Sequence, residues 1–231
     1  MADCSVALTP PFLYDLDTET LSLQKENKEI MKMATGVKEI KTLRIFISPS
    51  DISLWIVLIG SLPCLRRLEI EGVAFKNGDL ARILLGSFTI KELRLRRVFL
   101  DTYSISILRR TLQKEITKLE LIHCEYEDFE LLMCRIGTSI SLLDLKIAMV
   151  FTSEAETLAD ALAKNASLRR ISLSRSLFDV SQWKHLLVGI FRSRTIEQLD
   201  ISQCPIDIEK KDIWDKVSRR YCGGIALGTW S

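Results

Sequence analysis

The sequence predicts an α/β solenoid, in which short strands pair in parallel and a helix returns the chain from each strand to the next. Three observations over the 231 residues predict it. A six-residue pattern, apolar-x-x-Leu-x-apolar, recurs seven times; its central letter advances at nearly constant spacing; and stretches with helical apolar periodicity fill the intervals. The copies are Ile40/Leu43/Ile45, Leu65/Leu68/Ile70, Ile90/Leu93/Leu95, Ile116/Leu119/Leu121, Ile140/Leu143/Leu145, Leu168/Ile171/Leu173 and Ile196/Leu199/Ile201, with steps of 25, 25, 26, 24, 28 and 28. Alternation at period two marks a strand with one buried face, and self-similarity at this period marks stacked units. No single unit could bury its own apolar face, so the copies must stack on one another.

Taken in order, residues 1–17 carry Pro10 and Pro11 and little periodicity, and are expected to be a disordered or loosely docked leader. Thr18-x-x-Leu21-x-Leu23 repeats the strand pattern 22 residues before Leu43, so 18–35 reads as an atypical N-terminal unit, with Glu26 to Ala34 as its helix. From 36 to 206 no linker-like cluster interrupts the array. Ile52/Trp55/Ile56/Ile59, Phe129/Leu132/Met133/Ile136 and Trp183/Leu186/Leu187/Ile190 each follow i, i+3, i+4, i+7, one apolar stripe per helix. Asp51 and Asp101 stand where N-caps are wanted, and Ser153 with Glu156 reads as a capping box. Longer helices are expected at Ser153 to Ala166 and Val180 to Arg192. Gly36, Gly60, Gly86 and Gly137 fall near helix ends, where a left-handed residue is often needed. Residues 207–222 are expected to form a closing helix, and 223–231 an uncharged tail that either is disordered or covers the end of the stack. One domain over 18–222, of seven to eight units, is the expected organisation.

The pattern resembles the leucine-rich repeat, L-x-x-L-x-L-x-x-N/C. Cys124 and Cys204 occupy the last letter in their copies, while the slot holds Ser48, Val73, Val98, Ala148 and Ser176 elsewhere. Helices of about three turns make the ribonuclease-inhibitor-like subclass the nearest form. The resemblance implies a horseshoe with a concave parallel sheet, convex helices and a protein-binding role. It extends to the arrays of Nod-like receptors and F-box substrate receptors, although neither a nucleotide-binding module nor an F-box is visible in residues 1–35.

Composition narrows the chemistry. A net charge of +2 with 27% charged residues is too mild for a nucleic-acid binder, which needs a clustered basic face. Six dispersed cysteines form no C-x-x-C pair and fit a reducing compartment. Residues 1–9 lack the pattern of a signal peptide, and the most apolar window, Ile52 to Leu62, is too short to span a bilayer. The expectation is a monomer of the cytoplasm, or of the nucleus, without membrane attachment.

Of the two histidines, His123 stands beside Cys124 as a conceivable nucleophile pair, but adjacent strand residues face opposite ways. His185 lies off its helix's apolar stripe. No phosphate-loop, dinucleotide or metalloprotease motif is present. Asn165-Ala166-Ser167 matches a glycosylation sequon at a helix-to-strand turn, where Asn is expected anyway. No catalytic residue, metal ligand or cofactor is therefore assigned. Leucine-rich-repeat GTPase-activating proteins use an early arginine, for which Arg44 and Arg94 are the available counterparts, without a surrounding signature to carry the role.

Binding is expected on the strand residues that point away from the core. The x of Leu-x-Leu gives the column Arg44, Glu69, Arg94, Glu120, Asp144, Ser172 and Asp200. Beside it run Phe46, Glu71, Arg96, Ile122, Lys146, Ser174 and Ser202, and on the other side Thr42, Arg67, Glu92, Lys118, Leu142, Arg170 and Gln198. Signs alternate between neighbours, which suits lateral salt bridges and equally a mixed-charge face for a protein partner. The residues expected to hold that partner are Arg67, Glu69, Arg94, Arg96, Glu120, Asp144, Lys146 and Arg170. Aromatic residues are scarce in these columns, which argues against stacking single-stranded nucleic acid.

Overall fold

Leu21, Leu43, Leu68, Leu93, Leu119, Leu145, Ile171 and Leu199 lie side by side across one sheet, each paired in register with the next. None is more than 3% exposed. This apolar row is the spine of a computed structural model that describes residues 12–15, 19–24, 39–46, 51–75, 78–86, 89–150, 154–204 and 225–226. Burying each such side chain contributes at most about 1.5–3 kcal/mol, and the row belongs to one continuous core cluster that the helices complete.

The elements run β1 (Phe12–Asp15), β2 (Thr20–Leu23), β3 (Thr42–Ile45), α1 (Ile52–Gly60), β4 (Arg67–Glu71), α2 (Asp79–Leu85), β5 (Glu92–Arg96), β6 (Phe99–Leu100), α3 (Thr102–Lys114), β7 (Lys118–Ile122), β8 (Glu125–Tyr126), α4 (Phe129–Gly137), β9 (Asp144–Ala148), α5 (Ala155–Lys164), β10 (Arg170–Ser172), α6 (Val180–Arg192), β11 (Gln198–Asp200) and β12 (Ile225–Ala226). The ten-stranded sheet has the order β1-β2-β3-β4-β5-β7-β9-β10-β11-β12, and β6 pairs with β8 in a small second ladder. Only β1 is antiparallel to its neighbour. Because strand order follows chain order, every crossover advances the same way, and right-handed crossovers then place all the helices on one face. Among the described residues no element covers the other face.

The sheet passes both boundaries expected from sequence. Phe12–Asp15, inside the expected leader, pairs with Thr20–Leu23, and Ile225–Ala226, inside the expected tail, adds a parallel strand to Leu199–Asp200. Both segments cover backbone groups that an end strand would otherwise leave unpaired. The helices expected at 26–34 and 207–222 lie outside the described residues.

One unit sits two residues from its expected register. Leu142, Leu145 and Ile147 form its core letters, each at most 1% exposed, whereas Ile140 and Leu143 are 75% and 43% exposed. The run Ser139 to Ala148 satisfies the pattern in both registers. A slip of two residues keeps the same side chains on the same face, so alternation alone cannot separate the choices. What separates them is the third-preceding letter, where Leu142 reaches the core. The central-letter steps thereby become 25, 25, 26, 26, 26 and 28. Asp144 and Lys146 each move over by one column, Asp144 into the first and Lys146 into the second, Leu142 leaves the outward face, and Val150 replaces Ala148 in the slot beyond the strand.

Six of the strands, β4, β5, β7, β9, β10 and β11, end in the same corner. Gly72, Arg97, His123, Met149, Arg175 and Gln203, two positions past the second core letter, all have φ between 52° and 65°. The corner backbone continues the ladder, as in Gly72 N–H to Arg96 O at 2.8 Å and Arg97 N–H to Ile122 O at 2.9 Å. A left-handed L-residue costs roughly 1–2 kcal/mol, so five of the six corners are held against intrinsic preference. One position further on, Cys124 Sγ donates to Leu95 O at 3.4 Å and Cys204 Sγ to Leu173 O at 3.0 Å. Ser176 Oγ instead accepts from Val150 N–H. Gly60, Gly86 and Gly137 do not supply left-handed turns: among described glycines only Gly72 and Gly78 have positive φ, Gly78 as the N-cap of α2. Gly36 lies outside the described residues.

Helix starts follow the expected chemistry. Asp51 caps α1 through Ser53 N–H, and Asp101 caps α3 through Ser104 N–H. Asp128 does the same for α4 through Leu131 N–H. The capping box belongs to α6, where Asp179 and Gln182 bond each other's backbone. Ser153 lies outside the described residues, and Glu154 gives α5 no side-chain cap. At the helix-to-strand turn, Asn165 is 3% exposed; its amide donates to Ile136 O at 2.6 Å, and its carbonyl accepts from Ser167 and Leu168 N–H.

Candidate functional site: the uncovered face of the sheet

The residues between the core letters stand on the uncovered face in three columns. Thr42, Arg67, Glu92, Lys118, Asp144, Arg170 and Gln198 form the first. Arg44, Glu69, Arg94, Glu120, Lys146, Ser172 and Asp200 form the second. The third begins Phe46, Glu71, Arg96, Ile122 and Ala148 and continues through Ser174 and Ser202. With the register corrected, charge alternates along the first two columns and between them, giving a checkerboard over β4, β5, β7 and β9. Lateral neighbours lie about 4.8 Å apart and same-face neighbours on one strand about 7 Å apart, so each charge sees opposite charges first.

Ion pairs follow this pattern. Glu69 lies 3.0 Å from Arg44, 2.8 Å from Arg67 and 3.9 Å from Arg94. Glu120 lies 2.9 Å from Lys118 and 3.3 Å from Arg94. Both carboxylates are only 11–12% exposed. Burial alone would raise the Glu120 pKa, but the hydrogen bond and charge of Lys118, with Arg94 and Lys146, hold it below the usual glutamate range. Asp144 pairs with Arg170 at 3.1 Å, and Arg96 meets Glu71 at 3.3 Å. At the far end, Asp200 accepts from Ser172 Oγ at 2.7 Å and from Ser202 N–H. These bonds outweigh its desolvation and lower its pKa.

All eight residues expected to hold a partner stand on this face. Arg67, Glu69, Arg94 and Glu120 join one ion-paired network with Glu92, while Arg96 pairs with Glu71 and Asp144 with Arg170 apart from it. Lys146 acts on Glu120 and Asp200 by charge, without a direct ion pair among the described residues. The expected set omitted Arg44 and Lys118, which share Glu69 and Glu120. Their column positions were the signal that could have included them. Between β3, β4 and β5 lies a hollow of about 240 Å³ lined by Arg44, Phe46, Glu69, Glu71, Arg94 and Arg96.

The residues considered for chemistry are separated or occupied. His123 sits in a left-handed corner, while Cys124 turns its sulfur inward to Leu95 O, and burial pushes that thiol up to about 11. His185 Nδ1 lies 3.0 Å from Glu156 on the helix side. Arg44 and Arg94 both lean on Glu69. Among the described residues no group of three His, Cys, Asp or Glu could hold a metal ion, and no helix is long and apolar enough to cross a membrane.

No family model matches the sequence, and no curated protein matches it. Among solved structures, the chain is similar to a structural-genomics protein from Bacteroides fragilis, with a TM-score of 0.58 at 9% identity, over 84% of this chain and 68% of that one. That similarity concerns the fold alone. A second structure, TLR13 in complex with ssRNA13, aligns with a TM-score of 0.38 at 11% identity, over 75% of this chain and 34% of that one, too distant to bear on function.

Proposed function

We propose that this chain is a leucine-rich-repeat protein of the ribonuclease-inhibitor-like subclass. In this reading it works without catalysis, as a monomer of the cytoplasm or nucleus, by binding a partner protein on the uncovered face of its sheet. The repeat reading is supported by the in-register core row, the recurring left-handed corner and the slot cysteines bonded to carbonyls. Helices of 7 to 13 residues support the subclass.

One observation carries the binding reading: the uncovered face bears an array of alternating charges whose pairs remain partly open to solvent. Exposed pairs of this kind are worth about 0–1 kcal/mol each, so they add little to folding and yield readily to a partner's charges. A sheet held from behind by helices loses little freedom on binding, which leaves more of each contact as affinity. The near balance of signs favours a protein partner of mixed charge over a polyanion.

The test compares affinity capture by the wild-type chain, an Arg94→Glu/Arg96→Glu variant and a helix-side Lys184→Glu/Arg192→Glu variant, after circular dichroism shows equal folding. Specific partners are expected to be lost only from the sheet-face variant. Identical partner sets for all three would reject the reading.

A further inference from the structure

Three features of the hollow between β3, β4 and β5 bear on what it could hold. Its lining holds three arginines, Arg44, Arg94 and Arg96, against two glutamates, Glu69 and Glu71, leaving an excess of one positive charge. Its hydrogen bonding is incomplete. Arg44 donates a well-formed bond to Glu69 at 3.0 Å, but Arg94 and Arg96 meet their carboxylates at 3.3 Å or more without an aligned hydrogen bond. The Nε–H of Arg96, like that of Arg67 on β4, is buried without an aligned acceptor among the described residues. Finally, one wall is Phe46, 41% exposed and the one aromatic residue in the three columns.

A guanidinium offers five N–H donors in a planar fork that matches a carboxylate, and a buried donor left unused favours any ligand that fills it. Arg94 and Arg96 are i and i+2 on β5, so their forks lie on the same face of one strand. Phe46 stands across the hollow, beside Glu71 on the neighbouring strand. An occupant that satisfies all three features carries a single carboxylate toward Arg94 and Arg96, next to an apolar group that packs on Phe46. A carboxylate matches the excess of one charge, whereas a phosphate dianion would overshoot it.

We infer that this hollow is the anchor point for the partner protein, taking an Asp or Glu side chain that is adjacent to an apolar residue in the partner's sequence. The inference rests on the sheet-face reading above and names the residue chemistry that the face selects.

The full-length chain, screened against a random peptide library, is expected to enrich peptides with an acidic residue beside an apolar one. An enriched peptide, resynthesised with a fluorophore, is expected to bind about tenfold or more weakly to Arg96→Gln or Phe46→Ala, and when its own acidic residue becomes the amide. Lys184→Gln, exposed on the helix side, should leave its affinity unchanged. If Arg170→Gln abolishes binding and Arg96→Gln does not, the anchor is overturned and the sheet-face reading stands. If neither sheet variant matters, or no peptide enriches above the Arg94→Glu/Arg96→Glu chain, both fall.

Discussion

Gly189 of α6 lies against the backbone of Ala159 in α5, so close that a Cβ added to it would stand 2.3 Å from the Ala159 carbonyl oxygen. Gly189→Ala gains helix propensity of up to about 1 kcal/mol but forces two helices apart, at a cost of about 1–3 kcal/mol. A net loss near 1–2 kcal/mol in urea unfolding is expected. Gly60→Ala is the control: its nearest neighbour is the Gly86 carbonyl at 3.9 Å, so no loss is expected there.

Asn165→Ala should destabilise the chain by about 2–4 kcal/mol, because it strands the carbonyl of Ile136 and the amides of Ser167 and Leu168 at a buried turn. Asn165→Asp should do at least as much harm, since a carboxylate would face the Ile136 carbonyl. Denaturant midpoints measure both. The same burial predicts that the folded chain is not glycosylated at Asn165 by an oligosaccharyltransferase, which mass spectrometry of the tryptic peptide would reveal.

Cysteine reactivity should split by depth. Cys64 and Cys134 are exposed, whereas burial pushes the Cys124 and Cys204 thiols up to about 11. At pH 8 a thiol reagent followed by peptide mapping should label Cys64 and Cys134 in the native chain, and the other two only in urea. Rapid native labelling of Cys124 would contradict its bond to Leu95.

Asp101 makes acid stability measurable at one residue. Burial opposes its ionisation, but the N–H of Gly78 and both donors of Ser104 prevail and hold its pKa below the ordinary value of 3.8. In that interval the unfolded chain binds the proton more readily, so stability rises with pH. The contribution is complete above the ordinary value and is lost as pH falls through the lower folded one. Asp101→Asn should lower the urea midpoint at neutral pH, and the gap to wild type should shrink below about pH 4.

The register of the fifth copy can be checked by substitution. Leu142→Ala should cost about 2–5 kcal/mol, while Ile140→Ala and Leu143→Ala should each stay within about 0.5 kcal/mol.

That copy also shows where sequence reading succeeds and where it stops. The apolar letters identified the strands because burial imposes period two, and the helix at Val180–Arg192 was legible to the residue because its stripe and last turn are strong. Ser139 to Ala148 was ambiguous because two overlapping frames satisfy one pattern, and only packing depth separates Leu142 from Ile140. The left-handed corners left little trace in residue type: Gly72 fits a positive φ, but Arg97, Met149 and Arg175 are not residues that announce one. Of the site, the alternation of charge was visible. The excess at Arg94 and Arg96 was not, since it depends on which side chains meet and at what angle.

The narrow reach of the pairing has a kinetic consequence. Sheet partners lie 22 residues apart at β2–β3 and 28 at β10–β11, the widest separation in the sheet. Closing a loop of about 25 residues carries nearly the same entropic penalty at every step along the array. Folding can therefore start at any well-packed neighbouring pair and spread in both directions, one unit at a time. The middle units, gripped on two sides, would open last during hydrogen exchange, and the terminal strands β1 and β12, each held on one side, would open first.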